Sequence, residues 1–185
     1  MVRPRTTVRI LVATGIAALL VITAYMSAGA VSAPQQPELR LMQARTASGS
    51  QVGRTETTFS ERVLQLVNRR RAAHDLRPVR LNACVDDFSH HWADRLVRRD
   101  QYEHSDLEKL LDACDSGYVS ENIAQAGPGA TPRELVRLWM HSAGHRANIL
   151  SRRVTASGVS VRWDANRGTW IAVQNFARRP GSFSG

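Results

Sequence analysis

The hydrophobic period of this chain changes once, and that change bounds what it can fold into. Upstream of Leu150, apolar residues recur at helical spacing. Downstream, Val159, Val161 and Trp163 alternate with polar residues, and Trp170, Ala172 or Val173, and Phe176 do so less cleanly across a turn containing Asn166 and Gly168. A period of two marks a strand with one inward face, so the C-terminal part predicts a β-hairpin. Thr58-Phe59-Ser60-Glu61 has the form of a capping box. Phe59, Val63, Leu66 and Val67 then predict a helix to about Ala73, which Pro78 keeps from continuing. Asn82 can cap a second helix, with Asp86 and Asp87 complementing its dipole and Val85, Phe88, Trp92 and Leu96 as its buried stripe, ending near Asp100. Thr131-Pro132-Arg133-Glu134 starts another, burying Leu135, Leu138 and Trp139, with Gly144 expected to stop it. Helices followed by a terminal antiparallel pair argue for an α+β domain.

The 185 residues allow one ordinary domain. Residues 1–33 begin with Arg3, Arg5 and Arg9, continue through an uncharged apolar run, and end on the small residues before Pro34. This is a signal peptide in form, yet long enough to span roughly 30 Å of bilayer as an uncleaved membrane anchor. Pro34 disfavours cleavage after Ala33 and leaves Ala30 as the better site. On either reading everything downstream is exported, and membrane contact through this segment depends on its retention. Residues 34–57 are rich in Gln, Ser, Thr, Gly and Arg without apolar periodicity and read as a flexible linker; 58–179 form the domain and 180–185 a tail.

The net charge of +9 comes from arginines scattered along the chain. Export removes nucleic acid as a partner, and anionic lipid heads or acidic cell-wall polymers fit such a surface better. Cys84 and Cys114, an even number in an exported region, are expected to form a disulfide.

Three segments carry the chemistry: Tyr102-Glu103-His104-Ser105, Ser120-Glu121-Asn122-Ile123-Ala124, and the run from Trp139 to Leu150 containing His141-Ser142-Ala143-Gly144-His145-Arg146-Ala147-Asn148-Ile149. In order, spacing and flanking residues they resemble the CAP superfamily, also called SCP-like, in its bacterial form, over about Thr58 to Ala177. The resemblance implies a three-layer α-β-α sandwich with a small central antiparallel sheet. It also implies a cavity lined by His104, Glu121, His145, Ser142 and Asn148, in which His104, Glu121 and His145 are the metal ligands. Two imidazoles and a carboxylate suit a divalent metal, zinc first, that keeps a water in its fourth position. Many eukaryotic members carry a second glutamate where this chain has Ser142, and Ser120 replaces the family's usual glycine.

Blander readings compete. His104, Glu121 and His145 can satisfy one another as a buried polar network, and Asn122 and Asn148 can tie loop backbone to the cavity wall. His141 and His145 would share a helix face as in a zinc protease, but the required glutamate is absent and Gly144 is expected to end the helix first. Ser105 or Ser142 with His145 and Asp106 lacks any nucleophile-elbow sequence. His90 and His91 point apart on a helix, one to the surface and one to the core edge. The expected protein is therefore extracellular or on the cell surface. Its expected role is to bind a lipid or cell-envelope component, with no residue assigned to catalysis. The alternative is a metal-assisted extracellular hydrolase acting on peptide or cell-wall material, and the oligomeric state is left open.

Overall fold

The computed structural model describes residues 37–178, apart from Asp100. The segment expected to be a signal or anchor, the start of the linker, and the tail lie outside the described residues. Among the described residues no helix is long and apolar enough to cross a membrane.

The elements run α1 (Pro37–Ala72), β1 (Arg80–Leu81), α2 (Ala83–Arg99), α3 (Leu107–Ala113), β2 (Val119–Ala126), α4 (Pro132–His141), α5 (Ala143–Ile149), β3 (Ala156–Asp164) and β4 (Thr169–Ala177). The sheet order is β1-β3-β4-β2. Strands β3, β4 and β2 are antiparallel, as expected, while the two-residue β1 pairs in parallel with β3 and makes the sheet mixed. On one face Phe59, Val63 and Val67 of α1 and Leu135 and Trp139 of α4 pack on Val159, Val161, Ala172, Phe176 and Ala124. On the other, Ala93 and Leu96 of α2 pack on Ile123, Ile171 and Val173. This is the α+β, three-layer arrangement that the period change and the resemblance pointed to.

Four local expectations are corrected. The first helix starts at Pro37, so the predicted cap at Thr58 lies inside it and the expected linker is helical over its described length. Residues 41–55 are exposed wherever burial is described, leaving no apolar stripe to read. The stretch is fastened where it meets the sheet, by the Trp163 N–H donating to Glu56 Oε1 at 2.8 Å. In α2 the buried residues are Val85, Ser89, Ala93 and Leu96, with Phe88 and Trp92 only partly buried. The reason is close approach: a Cβ on Gly158 of β3 would lie 2.4 Å from Asp86 Cα, so only small side chains fit between helix and sheet. In α4 the capping box forms as predicted, but Val136 is buried and Leu138 is 51% exposed. Finally, the break after His141 falls at Ser142, in extended conformation, and Gly144 sits inside α5.

The hairpin forms in the predicted place, with Trp163 opposite Trp170. The Asp164 side chain closes its turn by accepting from the N–H groups of Asn166 and Arg167 and pairing with the Arg167 guanidinium, and Gly168 supplies the positive φ of 62°. The polar residues of β3 do not face solvent: Ser160 is fully buried under α2, with its hydroxyl 2.9 Å from His90 Nδ1. Cys84 and Cys114 are bonded, fastening α2 to the end of α3.

Candidate functional site

The three motif segments meet around β2, at one edge of the sheet. Trp139 fixes α4 to this strand by donating its indole N–H to Ile123 O at 3.2 Å. Trp92 similarly holds the loop after α2, donating to Glu103 O at 3.2 Å. Each tryptophan, Trp139 inside the third motif and Trp92 on α2, combines apolar packing with one donor that sets the register of a neighbouring segment.

The Glu121 side chain is fully buried. Its Oε1 accepts from the Ser105 backbone N–H at 2.9 Å and lies 2.8 Å from His104 Nδ1. Against an ionised carboxylate, which can only accept, Nδ1 is the donor of this pair, leaving Nε2 as the ring's other nitrogen. His104 is itself 58% exposed and so forms the site's solvent side. From α5, Asn148 Nδ2 donates to Glu121 O at 3.0 Å and to Asn122 Oδ1 at 2.9 Å, while Asn122 Nδ2 donates to His145 O at 3.3 Å. The two asparagines thus lock α5 to the strand that carries the acid, and that sets where His145 stands.

His145 is partly buried, and loss of hydration, reinforced by the positive charge His104 can carry, holds its imidazole below the usual histidine range. It is therefore kept neutral, the form in which an imidazole donates a lone pair. Four buried polar atoms at or beside the site lack a hydrogen-bond partner: Glu121 Oε2, His145 Nδ1, Ser105 Oγ and Ser120 Oγ. Tyr102 is 46% exposed and feels the charge of Glu121. Burial raises its phenol above the ordinary range, the charge of Glu121 adds to the rise, and a hydrogen bond with the Gln125 backbone opposes it.

Of the five expected cavity residues, the structure brings His104 onto Glu121, joins Asn148 to the Glu121 backbone, and places His145 within electrostatic reach of His104. Ser142 is partly buried between α4 and α5 and makes no side-chain cap bond. His141 is exposed, on a different helix from His145, with Nδ1 against Arg137 O, which removes the zinc-protease arrangement. Asp106 caps α3 and pairs with Lys109, whose hydrogen bond keeps its carboxyl below the ordinary range, so it is not the acid of a Ser/His/Asp set. Tyr102 joins the site beyond the residues the sequence singled out, while Ser105 enters as a backbone donor to Glu121 and Asn122 as the expected tie to the backbone of α5. Tyr102 lies in a quoted motif, and its place two residues before His104 was the available signal.

A borderline cation such as zinc matches this donor set, and Glu121 Oε2 and His145 Nδ1 are the unpartnered atoms that fit one. Among the described residues no three His, Cys, Asp or Glu side chains are gathered into a metal-holding group, and His104 is turned onto Glu121 Oε1.

Residues 64–176 match a family described as the cysteine-rich secretory protein family, CAP. The uncharacterized protein YkwD of Bacillus subtilis is 27% identical over 110 residues, covering 56% of this chain and 42% of that protein. An extracellular SCP-domain protein of Bacillus anthracis superposes with a TM-score of 0.61 at 21% identity, over 80% of this chain and 45% of the other. An outer surface protein of Borrelia burgdorferi gives 0.56 at 15% identity, over 63% and 89% of the two chains. A cysteine-rich secretory protein of Staphylococcus aureus gives 0.56 at 16%, over 67% and 39%. At these identities the structural likeness shows the fold, and the match spans less than half the length of either Bacillus protein.

Proposed function

Because the chain belongs to the CAP, or cysteine-rich secretory protein, family, we propose that it acts outside the cell or at its surface as a module that binds a lipid or cell-envelope component. In the proposal, His104, Glu121 and His145 hold a divalent cation beside that ligand, which is not turned over. Support for the location comes from the similar structures, two of which are described as an extracellular and an outer surface protein.

The observation that carries the binding reading is the state of Glu121. It is the carboxylate bonded within the site, it is fully buried, and its Oε1 already accepts from Ser105 and His104. A metal-assisted hydrolase needs an open metal position and a separate general base. Here the remaining oxygen, Oε2, suits a ligating role, and Ser142 stands where a second acid would be. A bound cation would supply Lewis acidity and a fixed positive charge for an anionic group. The residues of the chain supply the rest: Ser105 and Asn148 orient Glu121 and its strand, and burial keeps His145 unprotonated.

Calorimetry with zinc tests the proposal, with Glu121→Gln and His145→Ala as comparisons. Saturable zinc binding that both substitutions abolish is the expected result, accompanied by saturable binding of the protein to envelope preparations. Equal zinc affinity in all three proteins would place the metal elsewhere. Release of products from peptide, ester or peptidoglycan substrates, lost in a folded Glu121→Gln protein, would replace the binding reading with the hydrolase.

A further inference from the structure

Five arginines line the groove between α1 and α4. A cleft of about 210 Å³ is formed by Leu66, Arg69 and Arg70 of α1 with Arg133 and Val136 of α4. A second, of about 520 Å³, lies farther toward the N-terminal end of α1, where Arg54, Phe59 and Arg62 border Pro132 at the start of α4. Neither lining contains an acidic residue. Among the described residues none of the five guanidinium groups is ion-paired, and Arg62 bonds only to the neutral Gln65. At about 1.5 Å per residue, the helix from Arg54 to Arg70 covers about 24 Å.

Helix electrostatics accounts for part of this arrangement. Arg69 and Arg70 occupy the last turn of α1, where cations complement the helix dipole. Arg133 does the opposite. It stands in the first turn of α4, at the positive end of that dipole, and shares a cleft with two further cations. Its position costs stability rather than adding to it, and an anion in the cleft would reverse the sign. The large apolar residues that are exposed, such as Leu41, Met42 and Leu138, line neither cleft, so the groove offers no apolar anchor for entry into a bilayer.

We infer that the α1–α4 groove is a track for a linear polyanion whose repeating anionic group is a phosphodiester or phosphoanhydride. The inference rests on the envelope-binding reading for the source of the polymer, and it shares no residue with the His104–Glu121–His145 site. The groove receives successive phosphoryl groups along the four arginines of α1, with Arg133 of α4 facing them in the smaller cleft, whereas a membrane surface would be met by a flat basic face.

The test titrates the full chain with inorganic polyphosphate at low and high salt. It compares the wild type with a track variant (Arg69→Gln, Arg70→Gln, Arg133→Gln) and a control (Arg95→Gln, Arg98→Gln, Arg99→Gln on α2, across the sheet). Both variants lose the same formal charge, and glutamine keeps the helix propensity of arginine. The track variant is expected to lose at least about tenfold in affinity, with a shallower salt dependence, while the control stays within about twofold. The melting temperature of an Arg133→Gln single variant should be unchanged or higher, since a cation has been removed from the positive end of the α4 dipole. Equal affinity losses in the track variant and the control, or a melting temperature that falls on Arg133→Gln, would overturn the inference. Tight binding to phosphatidylglycerol vesicles with polyphosphate ignored would make the partner a membrane surface and overturn it too. If wild type and track variant bind isolated cell envelopes equally, the inference falls and the proposed function stands. If the wild type binds neither envelopes nor polyphosphate, both fall.

Discussion

Arg71 carries more of the fold than its place in a run of three arginines suggests. It is 2% exposed, and among the described residues it has no carboxylate partner. Its guanidinium donates instead to backbone carbonyls: Nε to Arg77 O at 2.9 Å, and Nη1 to Ile149 O at 2.7 Å and Ser151 O at 2.9 Å. These bonds tie the end of α1 to the end of α5, the helix that carries His145 and Asn148. Replacing Arg71 with Met keeps the apolar stem and deletes every donor. Hydrogen bonds to a charged group are worth about 1.5–3 kcal/mol each, so loss of the two bonds to α5 and its following residues alone costs about 3–6 kcal/mol. That is a large share of the 5–15 kcal/mol or so that stabilises an ordinary domain. Arg71→Lys keeps the charge but not the planar fork, and it should fall between the two. Urea unfolding followed by tryptophan fluorescence gives the difference directly. A loss below about 1 kcal/mol for Arg71→Met would show that water replaces the guanidinium freely, and the argument would fail.

Gly158→Ala should cost about 3 kcal/mol in the same assay, because the new methyl meets backbone atoms of Val85 and Asp86 rather than a side chain that can turn away; a neutral outcome would mean that α2 slides without penalty. Replacing Cys84 and Cys114 together with serine removes a closed loop of 30 residues' separation and should destabilise the fold by about 3–4 kcal/mol on chain-entropy grounds. Two titrating thiols in the unreduced, denatured wild type would deny the bond itself. His145 has a folded-state pKa below its unfolded value, so the stability it contributes is present above about pH 6.5 and is lost as pH falls through the depressed value. In chelator-treated protein, the drop in melting temperature between neutral and mildly acidic pH should therefore shrink in His145→Gln. An unchanged drop would assign the titration to other groups.

The sequence was most readable where one physical signal acted alone. Thr131 and Glu134 announced α4 because a capping box is local chemistry, and the hairpin followed from alternation and a glycine turn. Strand β2 was harder, because its central residues are buried on both faces and include Ser120, Glu121 and Asn122, so neither alternation nor hydrophobicity marks it. The inner face of α2 was misjudged because close packing on Gly158 selects Ser89 and Ala93 over the larger Phe88 and Trp92. The start of α1 was invisible because its exposed turns have no apolar stripe. At the site, the family resemblance named His104, Glu121 and His145, but not that Glu121 Oε1 is already taken by Ser105 and His104. That detail depends on a loop folding back onto an edge strand, which no local pattern encodes.

The central claim is that Glu121 and the two imidazoles form a cation site. Anomalous scattering at the zinc edge, recorded from zinc-soaked crystals at neutral pH, tests it most directly. The account predicts a peak about 2.0–2.2 Å from Glu121 Oε2 and from a ring nitrogen of each of His104 and His145. A fully zinc-loaded crystal with no peak there, and the His104–Glu121 hydrogen bond intact, would contradict it and leave a buried polar network in its place.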